Sequence, residues 1–200
     1  LSQKLLEQGH SVNIVDSFIY EEISLANIFY EKKLNVIKKD FRNFNLYSDE
    51  IKKSDIIIPL AGLVGAPICN QNPGEAISVN CENQKKFFNL ISDQQVIIMP
   101  TTNSAYGTNK DGICDEKSNL NPISTYAKHK VDVELSLMEK KNWISLRLAT
   151  VFGMSPRMRT DLLVNDFVYR AYFEKFVVLF ESHFKRNYIH VRDVSKAFLH

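Results

Sequence analysis

The chain is 200 residues long, 44% hydrophobic and 24% charged, the composition of an ordinary globular chain with room for one sizeable core. Its 25 basic and 23 acidic side chains leave a net charge of +2, so no basic surplus points to nucleic acid and no acidic surplus to disorder. No apolar run approaches the ~20 residues that a membrane-spanning helix needs, and the three cysteines, Cys69, Cys81 and Cys114, show no Cys-x-x-Cys spacing. That argues against a disulfide framework or a zinc knuckle and for a reducing, cytoplasmic setting.

In chain order, Leu1, Leu5 and Leu6 fall at helical spacing, and Gly9 stands where a helix C-terminus takes a left-handed residue. Strands are predicted over 11–16, 33–37, 54–60, 95–99 and 143–148. The continuous apolar character of 54–60 predicts a strand buried on both faces. Helices are predicted over 75–91 and 125–140. Strands alternating with helices at this spacing predict a parallel sheet with helices on both faces. Near Ala149 the pattern loosens, with Gly153, Pro156 and scattered arginines among apolar residues. The division expected is one domain over 1–150 and a smaller lobe over 151–200. The opening of the chain, and a helical pattern over 191–200 that stops in mid-run, give the expectation of a piece of a longer protein.

Ligands of an open α/β sheet sit beyond the carboxyl ends of the strands. Asp16 closes the first predicted strand, where a carboxylate can accept both hydroxyls of an adenosine ribose and would repel a 2′-phosphate. Tyr126-Ala-Lys-His-Lys130 opens a helical run, and residues four apart share a helix face. An unperturbed tyrosine, with a pKa near ~10, is a poor base at neutral pH. A fixed ammonium nearby favours its phenolate, which could take a hydroxyl proton while the adjacent carbon gives up a hydride. Upstream, directly after a predicted strand, stands Pro100-Thr-Thr-Asn-Ser-Ala-Tyr-Gly107. It puts the Thr102 hydroxyl at a strand end, with Gly107 permitting a tight turn. Lys128 and His129 point to other helix faces, and His183 and His190 are too isolated to suggest a metal site.

Asp16, Leu60-Ala61-Gly62, the Thr102 to Gly107 segment, Tyr126-x-x-x-Lys130, Arg147 to Gly153 and Asn187-Tyr-Ile-His-Val-Arg-Asp193 occur in one order at one spacing. That order resembles the extended short-chain dehydrogenase/reductases, the NAD-dependent nucleotide-sugar epimerase/dehydratase family. Segments 59–67, 149–159 and 161–167 are similar to a subgroup serving surface-polysaccharide synthesis. The resemblance implies a Rossmann-like doubly wound parallel sheet, NAD as cofactor and a nucleotide-sugar substrate, with no nucleic-acid or membrane partner.

Carried over residue by residue, the resemblance makes Tyr126 the base, Lys130 its partner and a ligand of the nicotinamide ribose, and Thr102 the hydroxyl partner. Asp16 would hold the adenosine ribose, and Asp40 and Phe41 would flank the adenine. Leu60, Ala61 and Gly62 would approach the dinucleotide with backbone atoms, and Asn80 would lie near it. Asn103, Ser104, Arg157 and Arg186 are the substrate candidates, with Arg159 a further phosphate candidate. The 4,6-dehydratases of the family carry Asp-Glu after the catalytic Thr. Asn103 and Ser104 cannot serve as that acid/base pair, which leaves oxidation at one carbinol, with or without return of the hydride. A homodimer is implied through the Tyr126 helix, with Val131, Val133, Leu135 and Leu137 offering apolar surface there; the alternative, that these residues face the sheet, must hold for roughly half of them.

The sequence lacks the Gly-x-x-Gly-x-x-Gly loop and first strand of the family's 3-2-1-4-5-6 sheet. The 200 residues alone are therefore expected to bind NAD poorly and to fold poorly. Two other readings stay open: a non-catalytic NAD-binding regulator or scaffold, and a carbonyl reductase of the same fold.

Overall fold

A computed structural model describes residues 1–20, 24–108 and 112–200. Helix α1 (Ser2–Glu7) ends as the sequence predicts. Gly9 adopts φ +90°, His10 N–H donates to Leu5 O and Gly9 N–H to Leu6 O, closing the helix with a left-handed turn. Strand β1 (Val12–Asp16) pairs with β2 (Leu34–Lys38). Val12 N–H donates to Lys33 O and Lys39 N–H to Asp16 O, so the two strands run in the same direction.

Helix α2 (Ser48–Lys53) leads into β3 (Ile56–Ile57). Next come the short helices α3 (Ala66–Gln71) and α4 (Pro73–Ile77), each with proline in its first turn, where a missing N–H costs nothing. A single π turn (Ser78–Glu82) joins α4 to α5 (Asn83–Phe88). The predicted 75–91 helix is therefore helical as far as Phe88, with a widened turn in its middle, and residues 89–91 form the turn that follows it. Strand β4 (Val96–Thr102) runs into a 3-10 turn (Asn103–Tyr106), and α6 (Thr125–Ser136) into a second one (Leu137–Glu139). Strand β5 (Trp143–Leu148) matches its prediction residue for residue. Strand β6 (Thr150–Phe152), α7 (Leu163–Phe173), β7 (Tyr188–His190) and α8 (Val191–Leu199) complete the chain.

Strands β3, β4 and β5 form one parallel sheet in that order, and β6 and β7 a separate parallel pair. The expected parallel pairing of strands alternating with helices is what the chain forms, with the described strands in three separate sheets rather than one. One strand departs from expectation. Only Ile56 and Ile57 of 54–60 join the ladder, and Ile56 is 48% exposed. Among the described residues β3 pairs with β4 alone, and of its two isoleucines Ile57 is buried and Ile56 exposed, the alternation of a strand covered on one face.

The described residues group into two units: Leu1–Ile14, Phe18–Val36 and Ala149–His200 in one, Val15–Ser17 and Ile37–Leu148 in the other. The main core lies in the second. Phe41, Phe87, Phe88, Ile97, Met99, Val133 and Leu137 anchor it, with Phe41 edge-on to both Phe44 and Phe87. Val131 is buried as well. Of the four apolar side chains expected on a dimer surface of α6, only Leu135 is exposed, at 47%. The other three pack inward because the same helix face must cover the sheet.

Candidate active site

Strand β4 delivers Thr102 to its carboxyl end. There the Thr102 Oγ1 caps the 3-10 turn, accepting the Ser104 N–H at 3.1 Å. The hydroxyl proton is left to donate elsewhere. Asn103 is half-buried and Ser104 exposed at the same strand end. Gly107 closes the turn at φ +66°, and a Cβ there would stand 2.1 Å from Asn121 O, so no other residue fits.

Helix α6 packs on β4 and on this turn. Its start is fixed by Ser124, whose Oγ accepts the Ala127 N–H at 3.2 Å. Tyr126 follows in the first turn and packs against the small buried cluster Leu63, Cys69 and Ala76. One turn on, Lys130 is 8% exposed, and its Nζ donates to Pro100 O, two residues before Thr102, at 3.1 Å. Burial pushes its pKa down to about 8, with the Cys69 thiol acting weakly in the opposite sense. Of the three ammonium protons, one meets a protein acceptor. A desolvated ammonium with two protons to place calls for an oxygen-rich ligand. A ribose diol meets that need, so the residues present fit a nicotinamide dinucleotide.

The loop after β3 is held from below by two buried amides. Asn80, on the π turn and 2% exposed, accepts the Leu63 N–H at 2.8 Å and donates to Leu63 O at 2.8 Å and to Cys69 Sγ at 3.5 Å. Gln84 Nε2 donates to Ala61 O at 2.9 Å. A Cβ on Gly62 would meet Asn80 Oδ1 at 2.9 Å, so the loop sits against the amide as only glycine allows. The Asn80 side chain is thus spent on the loop and reaches a ligand only through it. Widening the helix by one residue per turn is what lets it face that way. Leu60 stays exposed above.

Asp16 is exposed at the end of β1. Asp40 is gripped by Arg42, which donates from its backbone N–H, Nε and Nη2 at 2.8, 2.9 and 2.5 Å and holds the carboxyl below the usual carboxylate range. Arg42 also pairs with Glu75 at 2.8 Å. The Phe41 ring lies in the core, and its carbonyl accepts the Tyr47 hydroxyl, so only its backbone edge can face a ligand. Arg42, Gln84 and Glu134 were not expected from the sequence as parts of this region, and Arg147 was expected only as the first residue of the 147–153 segment. The available signal was charge or amide in otherwise apolar runs, as at Arg147 within 143–148.

Thr102, Tyr126, Lys130, Asp16, Asp40, Phe41, the 60–62 loop, Asn80, Asn103 and Ser104 all belong to the second unit. Arg157 and Arg186 belong to the first, where the Arg157 guanidinium lies over the Tyr20 ring at 3.4 Å and Arg186 is exposed. No described helix is long and apolar enough to cross a membrane.

The family model for the NAD dependent epimerase/dehydratase family matches residues 1–200. The chain belongs to that family. Among curated relatives, a bifunctional polymyxin resistance protein ArnA from Wigglesworthia glossinidia brevipalpis is 32% identical over 111 residues, which is 54% of this chain and 15% of that protein. Of this epimerase/dehydratase member's structural neighbours, a UDP-glucuronic acid 4-epimerase from Bacillus cereus, solved with UDP-glucuronic acid and NAD, gives a TM-score of 0.83 at 20% identity over 98% of this chain and 67% of that one. A UDP-N-acetylglucosamine 4-epimerase from Methanobrevibacter ruminantium M1, in complex with UDP-N-acetylmuramic acid, gives 0.82 at 24% identity over 94% and 64%. TunA, an NAD dependent NDP-hexosamine 5,6-dehydratase, gives 0.84 at 18% over 99% and 65%. At these identities the likeness is one of fold. The chain spans about two thirds of the length of these structures and far less of the curated relative.

Proposed function

We propose that the chain carries the dinucleotide site and the proton-transfer residues of an NAD-dependent enzyme that oxidises the 4-hydroxyl of a nucleotide-activated sugar. The observation that carries the reading is the buried Lys130 ammonium, one helical turn after Tyr126 and bonded to the strand that presents Thr102. In this reading Tyr126 removes the proton of the sugar hydroxyl, and Thr102 donates a hydrogen bond to the same oxygen. Lys130 lowers the cost of the phenolate through its charge. NAD, when bound, supplies the hydride acceptor. Asp16 holds the adenosine ribose and favours NAD over its 2′-phosphorylated form, while Asp40 and the Phe41 backbone flank the adenine. Leu60, Ala61 and Gly62 lie along the dinucleotide, with Asn80 acting through the Leu63 backbone. Arg157 and Arg186 serve the diphosphate of the sugar nucleotide, where a guanidinium gives bidentate contacts. Asn103 and Ser104 face the sugar and supply no acid/base pair for dehydration.

The product is a 4-keto sugar, or its 4-epimer if the hydride returns to the other face. The 59–67, 102–107, 149–159 and 161–167 segments resemble GDP-D-glycero-D-manno-heptose 4-dehydrogenase, which favours a role in surface-polysaccharide precursor synthesis. We assign residues 1–150 to cofactor binding and 151–200 to the start of the substrate lobe. A homodimer would have to use Leu135 and polar neighbours on α6, given what is buried there.

The test uses protein expressed from the complete reading frame, incubated with NAD and a panel of UDP- and GDP-sugars. NADH formation and epimer formation are followed together. A panel member converted by the wild type and not by Tyr126→Phe, with a loss of about a thousandfold or more, is the expected result. Turnover within a few fold of wild type in Tyr126→Phe would refute the mechanism.

A further inference from the structure

We propose that Glu134, Arg147 and Tyr106 form a clamp that sets the position of Thr102 relative to Tyr126. The proposal rests on the function just given. Glu134 lies on α6, one turn after Lys130 and two after Tyr126, and is almost fully buried. Its Oε1 accepts from Arg147 Nε at 2.9 Å and from Nη2 at 2.6 Å. Arg147 stands on β5 opposite Thr101, the neighbour of Thr102 on β4. The third branch of the guanidinium, Nη1, donates to the Tyr106 hydroxyl at 3.0 Å, and the guanidinium carbon lies 5.2 Å from the Tyr106 ring centroid. Tyr106 ends the 3-10 turn that begins immediately after Thr102. One planar cation therefore ties together the helix that carries Tyr126 and Lys130 and the turn that carries Thr102. Its rigid fork gives both links a fixed geometry, which a lysine in its place could not.

Stability alone does not account for this arrangement. A buried ion pair can be replaced by apolar side chains of similar volume with little loss, and here the second carboxylate oxygen, Glu134 Oε2, is buried without a hydrogen-bond partner. That oxygen carries a desolvation cost which a purely structural pair would have no reason to keep. Proton transfer, in contrast, is sensitive to sub-ångström displacement of the groups that share the reacting oxygen. A clamp anchored on both sides of the site meets that requirement.

The decisive variant is Tyr106→Phe, which removes one hydroxyl and keeps the ring beneath the guanidinium. With the protein from the complete reading frame and a converted sugar nucleotide, kcat is expected to fall about tenfold, while KM for NAD and sugar and the melting temperature stay near wild type. Backbone amide exchange over 103–107 is expected to quicken, with α6 and β5 unchanged. Glu134→Gln keeps an acceptor for Arg147 and is expected to retain most of kcat, whereas Glu134→Ala loses more. Should Glu134→Ala not fold, Tyr106→Phe carries the test alone. Wild-type kcat and unchanged exchange in Tyr106→Phe, or a fall in melting temperature and a rise in KM at constant kcat, would overturn the clamp while Tyr126→Phe remained inactive. An active Tyr126→Phe would instead remove the reading on which the clamp rests.

Discussion

Residues 37–148 contain both clusters of buried apolar side chains, whereas the stretch from 163 to 184 leaves Val168, Tyr172, Phe173, Phe176, Phe180 and Phe184 largely exposed. In the first region, polar side chains are buried only where they hold something. Asn80 and Gln84 hold the 61–63 backbone, Lys130 holds Pro100, and Glu134 holds Arg147. In the second, the ring contacts are between near neighbours in the chain, as Tyr169 with Phe173 at 4.7 Å and Tyr172 with Phe173 at 4.9 Å. The contrast teaches where geometry is enforced. The candidate proton-transfer residues stand where neighbours on several sides fix each atom, so small changes there should propagate, and larger ones in 163–184 should not.

The largest effect is expected at Gly107. Gly107→Ala demands both a left-handed backbone for an L side chain and a Cβ in contact with Asn121 O. A loss of roughly 3–5 kcal/mol in denaturant unfolding, with loss of turnover, is expected. A loss below about 1 kcal/mol would mean that the turn after Thr102 is not enforced.

An intermediate effect of opposite sign is expected at Lys130. With a folded pKa of about 8 against an unfolded value near 10.5, the buried charge costs on the order of 3 kcal/mol. Lys130→Met removes that cost and the bond to Pro100, for a net gain of roughly 2 kcal/mol at neutral pH, together with loss of turnover. Below pH 8 both states of the wild type hold the proton and the fold bears the whole cost. Between about 8 and 10.5 the fold gives up its proton first, wild-type stability rises with pH, and the advantage of the variant narrows. Melting curves at neutral and alkaline pH check both the sign and the trend.

The smallest effect is expected at Phe180. Phe180→Ser should stay within about 0.5 kcal/mol of wild type, because the side chain is exposed. A loss of about 2 kcal/mol would show the two regions to be alike in packing.

The regular elements were legible in the sequence because their signals are local. β1, β2 and β5 fall within a residue of their predicted bounds, since β-branched runs between turn residues leave little choice. The left-handed turn at Gly9 was legible for the same reason. β3 was not, because a continuous run of isoleucines reads alike whether one face or both are covered, and only what packs on each face decides. The π turn was invisible, since it adds one residue to a helical repeat without changing the residue types. Tyr126, Lys130 and Thr102 could be named from spacing, and their elements do pack together. Arg42 on Glu75, Gln84 under Ala61 and Arg147 between Glu134 and Tyr106 join residues well separated in the chain, and nothing in the local pattern links those partners. The burial of Val131, Val133 and Leu137 likewise follows from the sheet beneath them rather than from the helix itself.

The central claim is that a desolvated ammonium stands beside the tyrosine that takes the sugar proton. Its most direct test is the titration of the Lys130 ε-carbon by NMR in lysine-labelled protein from the complete reading frame, with Lys130→Met assigning the signal. A midpoint near 8, displaced when NAD is added, is the predicted result. A midpoint at the ordinary value near 10.5, indifferent to NAD, would contradict the account.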